Sequence, residues 1–241
     1  MANKTTKGID VSVHNGSIDF AKVKAAGYDF VILRSGYGRE ISQKDTTFDR
    51  NYKNAKAAGL QVGAYWYSYA TSPADAKKEA QACLQAIAGK AFEMPIYFDL
   101  EEQSQTTKGG AYCRQLIDAF CQEMEAAGYY AGVYTSASVA NALPSGTDSR
   151  YAMWIAHWGV KSPSYTGHYG MWQHTSTASV SGISGNVDGD ICYIDYETVM
   201  REQGLNGYPM PKNTQLAEPA KSANHVITVM YDGETIFTKE V

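Results

Sequence analysis

The sequence predicts an α/β fold: an irregular TIM-like (β/α)5(β)3 barrel of eight strands with a short C-terminal β-hairpin extension. Five strand patterns between residues 7 and 134 are each followed by a helix pattern, and three further strand patterns follow without convincing helices between them. Alternating strands and helices indicate a parallel sheet with right-handed crossovers. Eight strands are enough to close a barrel, and a length of 241 residues suits one barrel-sized domain.

The five strand–helix units are predicted from apolar runs, helix caps and glycine stops. Ser17 is expected to cap the first helix, and Ser72 followed by Pro73 to begin the third. The strands are expected at 7–12, 30–34, 61–69, 95–101 and 129–134. The helices are expected at 17–26, 45–58, 72–87, 107–126 and 136–143.

The three remaining strands of the barrel are expected at 151–157, 170–174 and 187–193, within a barrel domain of residues 1–203. Residues 204–224 contain Gly, Pro, Asn and Lys and predict a linker. Residues 225–241 predict a hairpin turned at Asp232-Gly233. Apolar residues occur on both of its faces, and a lone two-stranded hairpin is marginal in water. We therefore expect the hairpin to dock on the barrel or to self-associate with another chain.

Composition excludes several classes of protein. Hydrophobic residues make up 44% and charged residues 19% of the chain, as in a soluble globular protein. A net charge of −4 gives no reason to expect nucleic acid as a partner. The N-terminus lacks the apolar core of a signal peptide, and no apolar run is long enough for membrane insertion. The four cysteines are interpreted as small buried thiols.

The stretch 94–102 carries the strongest chemical signal, because an apolar strand pattern leads into three acids. Side chains alternate along a strand, so Asp99 and Glu101 share one face while Phe98 and Leu100 share the other. Like charges this close resist joint ionisation, which raises one pKa. Such a pair can supply a general acid beside an anionic stabiliser. The alternative is a solvated acidic loop that follows a buried strand.

Other charged residues, Asp188 among them, are expected at the C-terminal ends of predicted strands, where barrels of this kind hold their reacting groups. Asp10 lies on the opposite face of the first strand from its apolar neighbours, and Asp188 lies at an end of the last strand. Asp188 in Asn-Val-Asp-Gly is also compatible with plain turn chemistry. Arg34 at the end of the second strand needs a partner, and Asp10 or Asp99 is the expected one.

The chain resembles the glycoside hydrolase family 25 lysozymes, the Chalaropsis-type N-acetylmuramidases that include bacterial and phage endolysins. The matching segments occur in family order and cover roughly residues 7–200. They are Gly8-Ile9-Asp10-Val11-Ser12, His14-Asn15-Gly16, Ile18-Asp19-Phe20, Asp45-x-x-Phe48, Gly63-Ala64-Tyr65, Pro95 to Glu101, Gly132-Val133-Tyr134, Trp154-Ile155-Ala156, Trp172-Gln173 and Gly185-Asn186-Val187-Asp188. The chain departs from many members at two places, Trp66 to Tyr69 and Gly189-Asp190.

The resemblance implies hydrolysis of the β-1,4 bond between N-acetylmuramic acid and N-acetylglucosamine in bacterial peptidoglycan. Glu101 matches the family's general acid, and Asp99, Asp10 and Asp188 are expected as nucleophile or stabilising carboxylates. Whether attack is direct or through the substrate's own N-acetyl group stays open. The remaining site residues are expected to contact the glycan: Arg34, Tyr65, Tyr67, Tyr134, Trp154 and Gln173. No cofactor is expected, and the site of action is the bacterial cell wall.

Two other classes of protein remain open at the level of sequence. A catalytically silent glycan-binding barrel would lack the acids, all four of which are present here. A chitinase-like hydrolase of another barrel family would carry a longer acidic run, but Ile96 and Tyr97 stand where its acids would be. A metalloenzyme is not indicated, because no His pair or Cys cluster has the spacing of metal ligands.

Overall fold

The computed structural model describes residues 5–211 and the backbone of two strands, 226–231 and 234–240. It divides the chain into two compact units, one ending at Met210 and the other beginning at Pro211. The first unit contains a closed barrel of eight strands in sequence order. These strands are β1 (Thr6–Val11), β2 (Phe30–Tyr37), β3 (Gln61–Tyr67), β4 (Ile96–Asp99), β5 (Ala131–Ser136), β6 (Ala152–Ala156), β7 (Met171–Ala178) and β8 (Val187–Cys192).

The last strand of the barrel runs against the others. Each of β1 to β6 is parallel to the next strand, whereas β8 pairs antiparallel with both β7 and β1. The connection between β7 and β8 covers only residues 179–186. A parallel pair needs a crossover of about a dozen or more residues, so this short connection favours the antiparallel arrangement.

The helices of the first unit surround the barrel, and several begin later than the sequence predicts. They are α1 (Phe20–Ala25), α2 (Phe48–Ala57), α3 (Pro73–Ile87), α4 (Gln103–Thr106), α5 (Gly110–Ala126), α6 (Ala137–Ala142), α7 (Thr147–Arg150) and α8 (Tyr196–Gln203). The cap predicted for α1 at Ser17 is wrong, because the side chain of Asp19 accepts the hydrogen bond from the Lys22 N–H. Ser72 caps α3 and Pro73 begins it, as predicted.

Alternating strand residues separate two apolar cores. The outer core lies between the strands and the helices, and here Phe98 packs against Phe120 of α5 with ring centroids 4.7 Å apart. Burial of one such side chain contributes roughly 1.5–3 kcal/mol to folding. Residues of the second core fill the barrel interior, where Tyr97 packs against Trp154 at 5.1 Å. Phe98 and Leu100 are both fully buried in the outer core.

The interior is tightly filled near the start of β1. A Cβ atom on Gly8 would lie 2.1 Å from the Phe30 ring, so only glycine allows that ring to enter the barrel. Glycine inside a strand often marks such a close approach. Phe30 therefore fills the layer beneath the level of Asp10, which follows Gly8 by two residues on the same face.

The end of the barrel opposite to the strands' C-terminal ends is closed by residues beyond α8. Asn206 is fully buried, and its side chain accepts a hydrogen bond from the Tyr130 N–H and donates one to the Met94 carbonyl. Its backbone adopts a positive φ of 53°, a conformation that Asn tolerates better than most residues. These contacts hold Asn206 within the first unit, which ends at Met210.

The second unit contains β9 (Val226–Tyr231) and β10 (Glu234–Glu240), which pair antiparallel with an irregularity between Thr235 and Phe237. This pairing agrees with the hairpin extension predicted from the sequence. The turn predicted at Asp232-Gly233 lies outside the described residues. In the described parts of the chain, no helix is long and apolar enough to cross a membrane.

The four cysteines are all free and buried, as the sequence predicts.

Candidate active site

A single groove at the C-terminal ends of the parallel strands brings together all ten site residues predicted from the sequence. Its cavity volume is about 820 Å³. The predicted residues that line it are Asp10, Arg34, Tyr65, Tyr67, Asp99, Glu101, Tyr134, Trp154, Gln173 and Asp188. They come from all eight strands of the barrel or, for Glu101, from the residues just after β4, so closure of the barrel is what makes them neighbours.

Asp99 is the last residue of β4, Glu101 lies two residues beyond it, and the two acids differ in exposure. Asp99 is only 4% exposed, whereas Glu101 is open to solvent. Burial, and then the nearby charge of Glu101, raise the pKa of Asp99 well above its ordinary value. The pKa of Glu101 is also raised, first by partial burial of its carboxyl group in the groove and then by the charges of Glu102 and Asp188. A hydrogen bond with the Tyr67 hydroxyl lowers it and opposes these causes. A carboxyl with a raised pKa keeps its proton at higher pH, as a general acid requires.

Asp10 lies deep in the groove and is held by an amide. It is 6% exposed, and its Oδ2 accepts a hydrogen bond of 2.7 Å from Nε2 of Gln173. Burial, followed by the charges of Asp190 and Asp188, raises the pKa of Asp10 well above the usual range, while the bond from Gln173 lowers it.

Asp188 reaches the groove from the opposite direction to that expected. We predicted that it lies at the C-terminal end of its strand, and this is wrong, because it is the second residue of β8. Since β8 is antiparallel, its beginning lies beside the end of β1, where Asp188 is the register partner of Asp10. Burial raises the pKa of Asp188.

Asp190 belongs to the same cluster and was missed from the sequence. It is 1% exposed, and its Oδ1 accepts a 2.9 Å hydrogen bond from the indole N–H of Trp154. Its other oxygen has no hydrogen-bond partner among the described residues. Burial and the charge of Asp188 raise the pKa of Asp190 well above its ordinary value. Its spacing of two residues from Asp188 was the available signal, since both positions share one face of the strand.

The expected pairing of Arg34 with Asp10 or Asp99 is wrong. Arg34 Nε instead donates to Asp45 Oδ2 at 2.8 Å. Burial alone would raise the pKa of Asp45, but hydrogen bonds from Val13, Thr47 and Arg34 outweigh it and hold the pKa low. Asp45 is therefore the ionised partner of Arg34, although the positive charge of Arg34 still lowers the pKa of Asp99.

Aromatic side chains form much of the groove wall. Trp154 lies at the centre, with ring centroids 4.5 Å from Tyr134 and 6.2 Å from Tyr65. Tyr67 donates a 2.6 Å hydrogen bond to Glu102 and packs against Tyr69, which also lines the groove although the sequence did not single it out. Aromatic faces with polar edges suit sugar rings.

Carboxyl groups of different exposure in one aromatic groove can provide a protonated acid beside ionised or hydrogen-bonded carboxylates. Among the residues that the structure describes, no group of three His, Cys, Asp or Glu is placed to hold a metal ion. A barrel with this groove at the strand ends belongs to the class of barrel hydrolases that act through carboxyl groups.

Residues 9–183 match the family described as Glycosyl hydrolases family 25, and the chain belongs to that family. Lysozyme M1 of Streptomyces globisporus is 32% identical over 202 residues, which cover 76% of this chain and 66% of the relative. The autolytic lysozyme of Clostridium acetobutylicum is 30% identical over 186 residues, which cover 76% of this chain and 55% of the relative. The chain thus spans less than two thirds of the length of these two lysozymes.

Solved structures have the same fold. The bacterial lysozyme from Streptomyces coelicolor is 30% identical with a TM-score of 0.65, and the match covers 77% of this chain and 90% of that one. The modular autolysin LytC of Streptococcus pneumoniae, solved with a synthetic peptidoglycan ligand, is 25% identical with a TM-score of 0.62. That match covers 78% of this chain and 47% of LytC.

Proposed function

We propose that the protein is a lysozyme that hydrolyses the β-1,4 bond between N-acetylmuramic acid and N-acetylglucosamine in bacterial peptidoglycan. The observation that carries this proposal is the convergence of Asp10, Asp99, Glu101 and Asp188 in one groove. Membership of the glycosyl hydrolase family supports the reaction type. The peptidoglycan ligand of LytC supports the class of substrate.

Glu101 acts as the general acid in this proposal. It is the most exposed of the four acids and can therefore reach the oxygen of a glycosidic bond that lies across the groove. Its raised pKa keeps the proton bound to higher pH than on an ordinary glutamate. Donation of this proton to the leaving sugar's oxygen breaks the bond without expelling an alkoxide.

Asp99, Asp10 and Asp188 act as nucleophile or stabilising carboxylates for the positive charge that develops on the sugar ring. Asp10 is the best oriented of them, because Gln173 fixes one of its oxygens. Arg34, Tyr65, Tyr67, Tyr134, Trp154 and Gln173 line the groove around these acids, and we assign them to contact with the glycan.

The place of action that follows from this substrate is the bacterial cell wall, reached outside the cell or during lysis. The partner of the enzyme is the glycan strand of peptidoglycan, and the hairpin is proposed as a site of self-association.

The test is digestion of purified peptidoglycan, followed by reduction of the new chain ends and their identification by chromatography and mass spectrometry. Reduced muramic acid is the expected product. Reduced glucosamine ends would show that the other glycosidic bond of the strand is cleaved and would overturn the proposed bond. Cleavage of chitin oligosaccharides without digestion of peptidoglycan would assign the protein to a chitinase-like reaction. Binding of peptidoglycan without any new ends would identify a silent glycan-binding barrel.

A further inference from the structure

Trp158 is a half-exposed tryptophan beside the groove that neither the sequence patterns nor the proposed reaction uses. It follows β6 by two residues, and 51% of its side chain is exposed. Its indole N–H nevertheless points inward and donates a 2.9 Å hydrogen bond to Oε1 of Gln173. One edge of the ring is therefore bound to a groove residue while a large part of the ring remains open to solvent.

Gln173 connects Trp158 to the acid Asp10. It is 2% exposed, and its Oε1 also accepts a 2.9 Å hydrogen bond from the Tyr134 hydroxyl. Two donors on one side of the amide identify that atom as oxygen, so Nε2 faces Asp10 and donates to its Oδ2 at 2.7 Å. Trp158 and Asp10 are thus linked through a single side chain, that of Gln173.

The backbone that carries Trp158 is held independently of its indole N–H. The His157 N–H donates to the Gln173 carbonyl at 3.1 Å, and the Trp172 indole donates to the His157 carbonyl at 2.8 Å. The His157 ring accepts a 3.0 Å hydrogen bond from the Ser164 N–H, which closes the segment that follows. Replacement of the indole by another aromatic ring should therefore leave the ring in place.

We propose that Trp158 is a positioning residue with two separable parts: its face stacks on a pyranose ring of the glycan, and its N–H couples that contact to Asp10 through Gln173. The inference rests on the proposed function, because it assumes a glycan in the groove. Stacking immobilises the indole, an immobile indole fixes the Gln173 amide, and a fixed amide holds the Asp10 carboxylate in its ionised and oriented form.

The pH dependence of the variants follows from the groups around Asp10. The bond from Gln173 lowers the pKa of Asp10, so a weaker bond raises it and moves the acidic limb of the rate profile to higher pH. The other titratable groups that face Asp10 come from four strands: Tyr65 on β3, Asp99 on β4, Tyr134 on β5, and Asp188 and Asp190 on β8.

The experiment compares Trp158→Phe and Trp158→Ala with the wild-type chain on a soluble peptidoglycan fragment. Trp158→Phe retains an aromatic face without the N–H, so kcat should fall about 3- to 10-fold, the acidic limb should move to higher pH, and KM should stay within twofold. Trp158→Ala also removes the face, so KM should rise at least about fivefold in addition. Val160→Ala, at another exposed position of the same segment, is the matched control and should match the wild type in both constants.

The two parts of the proposal fail separately. An unchanged kcat and pH profile in Trp158→Phe would overturn the coupling to Asp10, and an unchanged KM in Trp158→Ala would overturn the stacking. Circular dichroism verifies that each variant is folded, and Trp158→Phe keeps the test decisive if Trp158→Ala is not. Absence of wild-type turnover in the same assay would instead refute the proposed function.

Discussion

Asp10 and Asp188 are register partners on β1 and β8, two strands that run in opposite directions. The same register places Asp190 opposite Gly8, one inward layer deeper in the barrel. The acids therefore occupy two levels, with Asp188 nearer to solvent and Asp190 sealed from it. This layering gives neighbouring carboxyl groups different surroundings.

Replacement of Glu101 by Gln should abolish turnover while leaving the fold intact. The amide cannot donate a proton to the leaving sugar, and positioned general-acid catalysis contributes about 10²- to 10⁴-fold. The loss in kcat on peptidoglycan should be at least that large, with a thermal unfolding midpoint close to that of the wild type. Near-normal turnover by the folded variant would remove Glu101 from its assigned role.

Replacement of Glu102 by Gln should shift the basic limb of the kcat/KM profile to lower pH. The charge of Glu102 is one of the groups that raise the pKa of Glu101, and the amide oxygen of Gln can still accept the bond from Tyr67. With that charge removed, Glu101 loses its proton at lower pH. A basic limb that stays in place, or moves upward, would show that Glu101 does not control it.

Replacement of Asp190 by Asn should shift the acidic limb of the rate profile to lower pH. Asp190 raises the pKa of Asp10, and an amide oxygen can keep the bond from the Trp154 indole. Asp10 then ionises at lower pH. Glu123→Gln, on the outer helix α5, is the control variant and should leave the profile unchanged. An identical acidic limb in Asp190→Asn would mean that Asp190 bears no charge where Asp10 titrates.

Glu79 of α3 should make the folded chain less stable as the pH rises from about 4.5 to about 7. It is fully buried, and its Oε1 accepts a 2.8 Å hydrogen bond from the Tyr69 N–H. Burial raises its pKa to about 7, against opposing hydrogen bonds from Ser68 and Tyr69. In this window the folded chain holds a proton that the unfolded chain releases, so the free energy of unfolding falls by roughly 3 kcal/mol.

The measurement is urea denaturation at several pH values with wild type and Glu79→Gln. The variant cannot titrate at this position, so its free energy of unfolding should fall less between pH 4.5 and 7. Parallel curves for the two proteins would assign the pH dependence to other groups.

Deletion of residues 212–241 should leave hydrolysis of small soluble glycan fragments within about twofold of the full chain. The compact unit that contains every groove residue ends at Met210. Activity is measured on soluble fragments, and sedimentation compares the oligomeric state of both proteins. A truncated chain that folds but has lost activity on these fragments would place the tail in the active site.

The sequence was sufficient for the groove residues whose position follows from strand alternation. Apolar neighbours on both sides of Asp10 and Asp99 define the outer face of each strand, so the acids take the inner one. The number of strands followed from the spacing of helices and turns.

Features that depend on distance in three dimensions were not predictable in this way. Side chains alternate between the two faces in the same way whichever direction a strand runs. The residue pattern of β8 therefore could not show that this strand is antiparallel to its neighbours. Arg34 pairs with Asp45 because the segment after β2 folds back over the strand end, which Arg34 itself does not reveal. Trp158 follows the end of its predicted strand and becomes relevant only through its bond to Gln173.

The reversal of β8 also decides where polypeptide can be attached. In a barrel of eight parallel strands, the first strand enters at one end and the last leaves at the other. Here Thr6 at the start of β1 pairs with Cys192 at the end of β8, so the chain enters the first strand and leaves the last strand at the same end of the barrel. That end of the barrel is the one opposite to the groove. Another polypeptide can therefore be fused before β1 or after β8, or two such barrels can be joined in tandem, without the connecting chain crossing the groove.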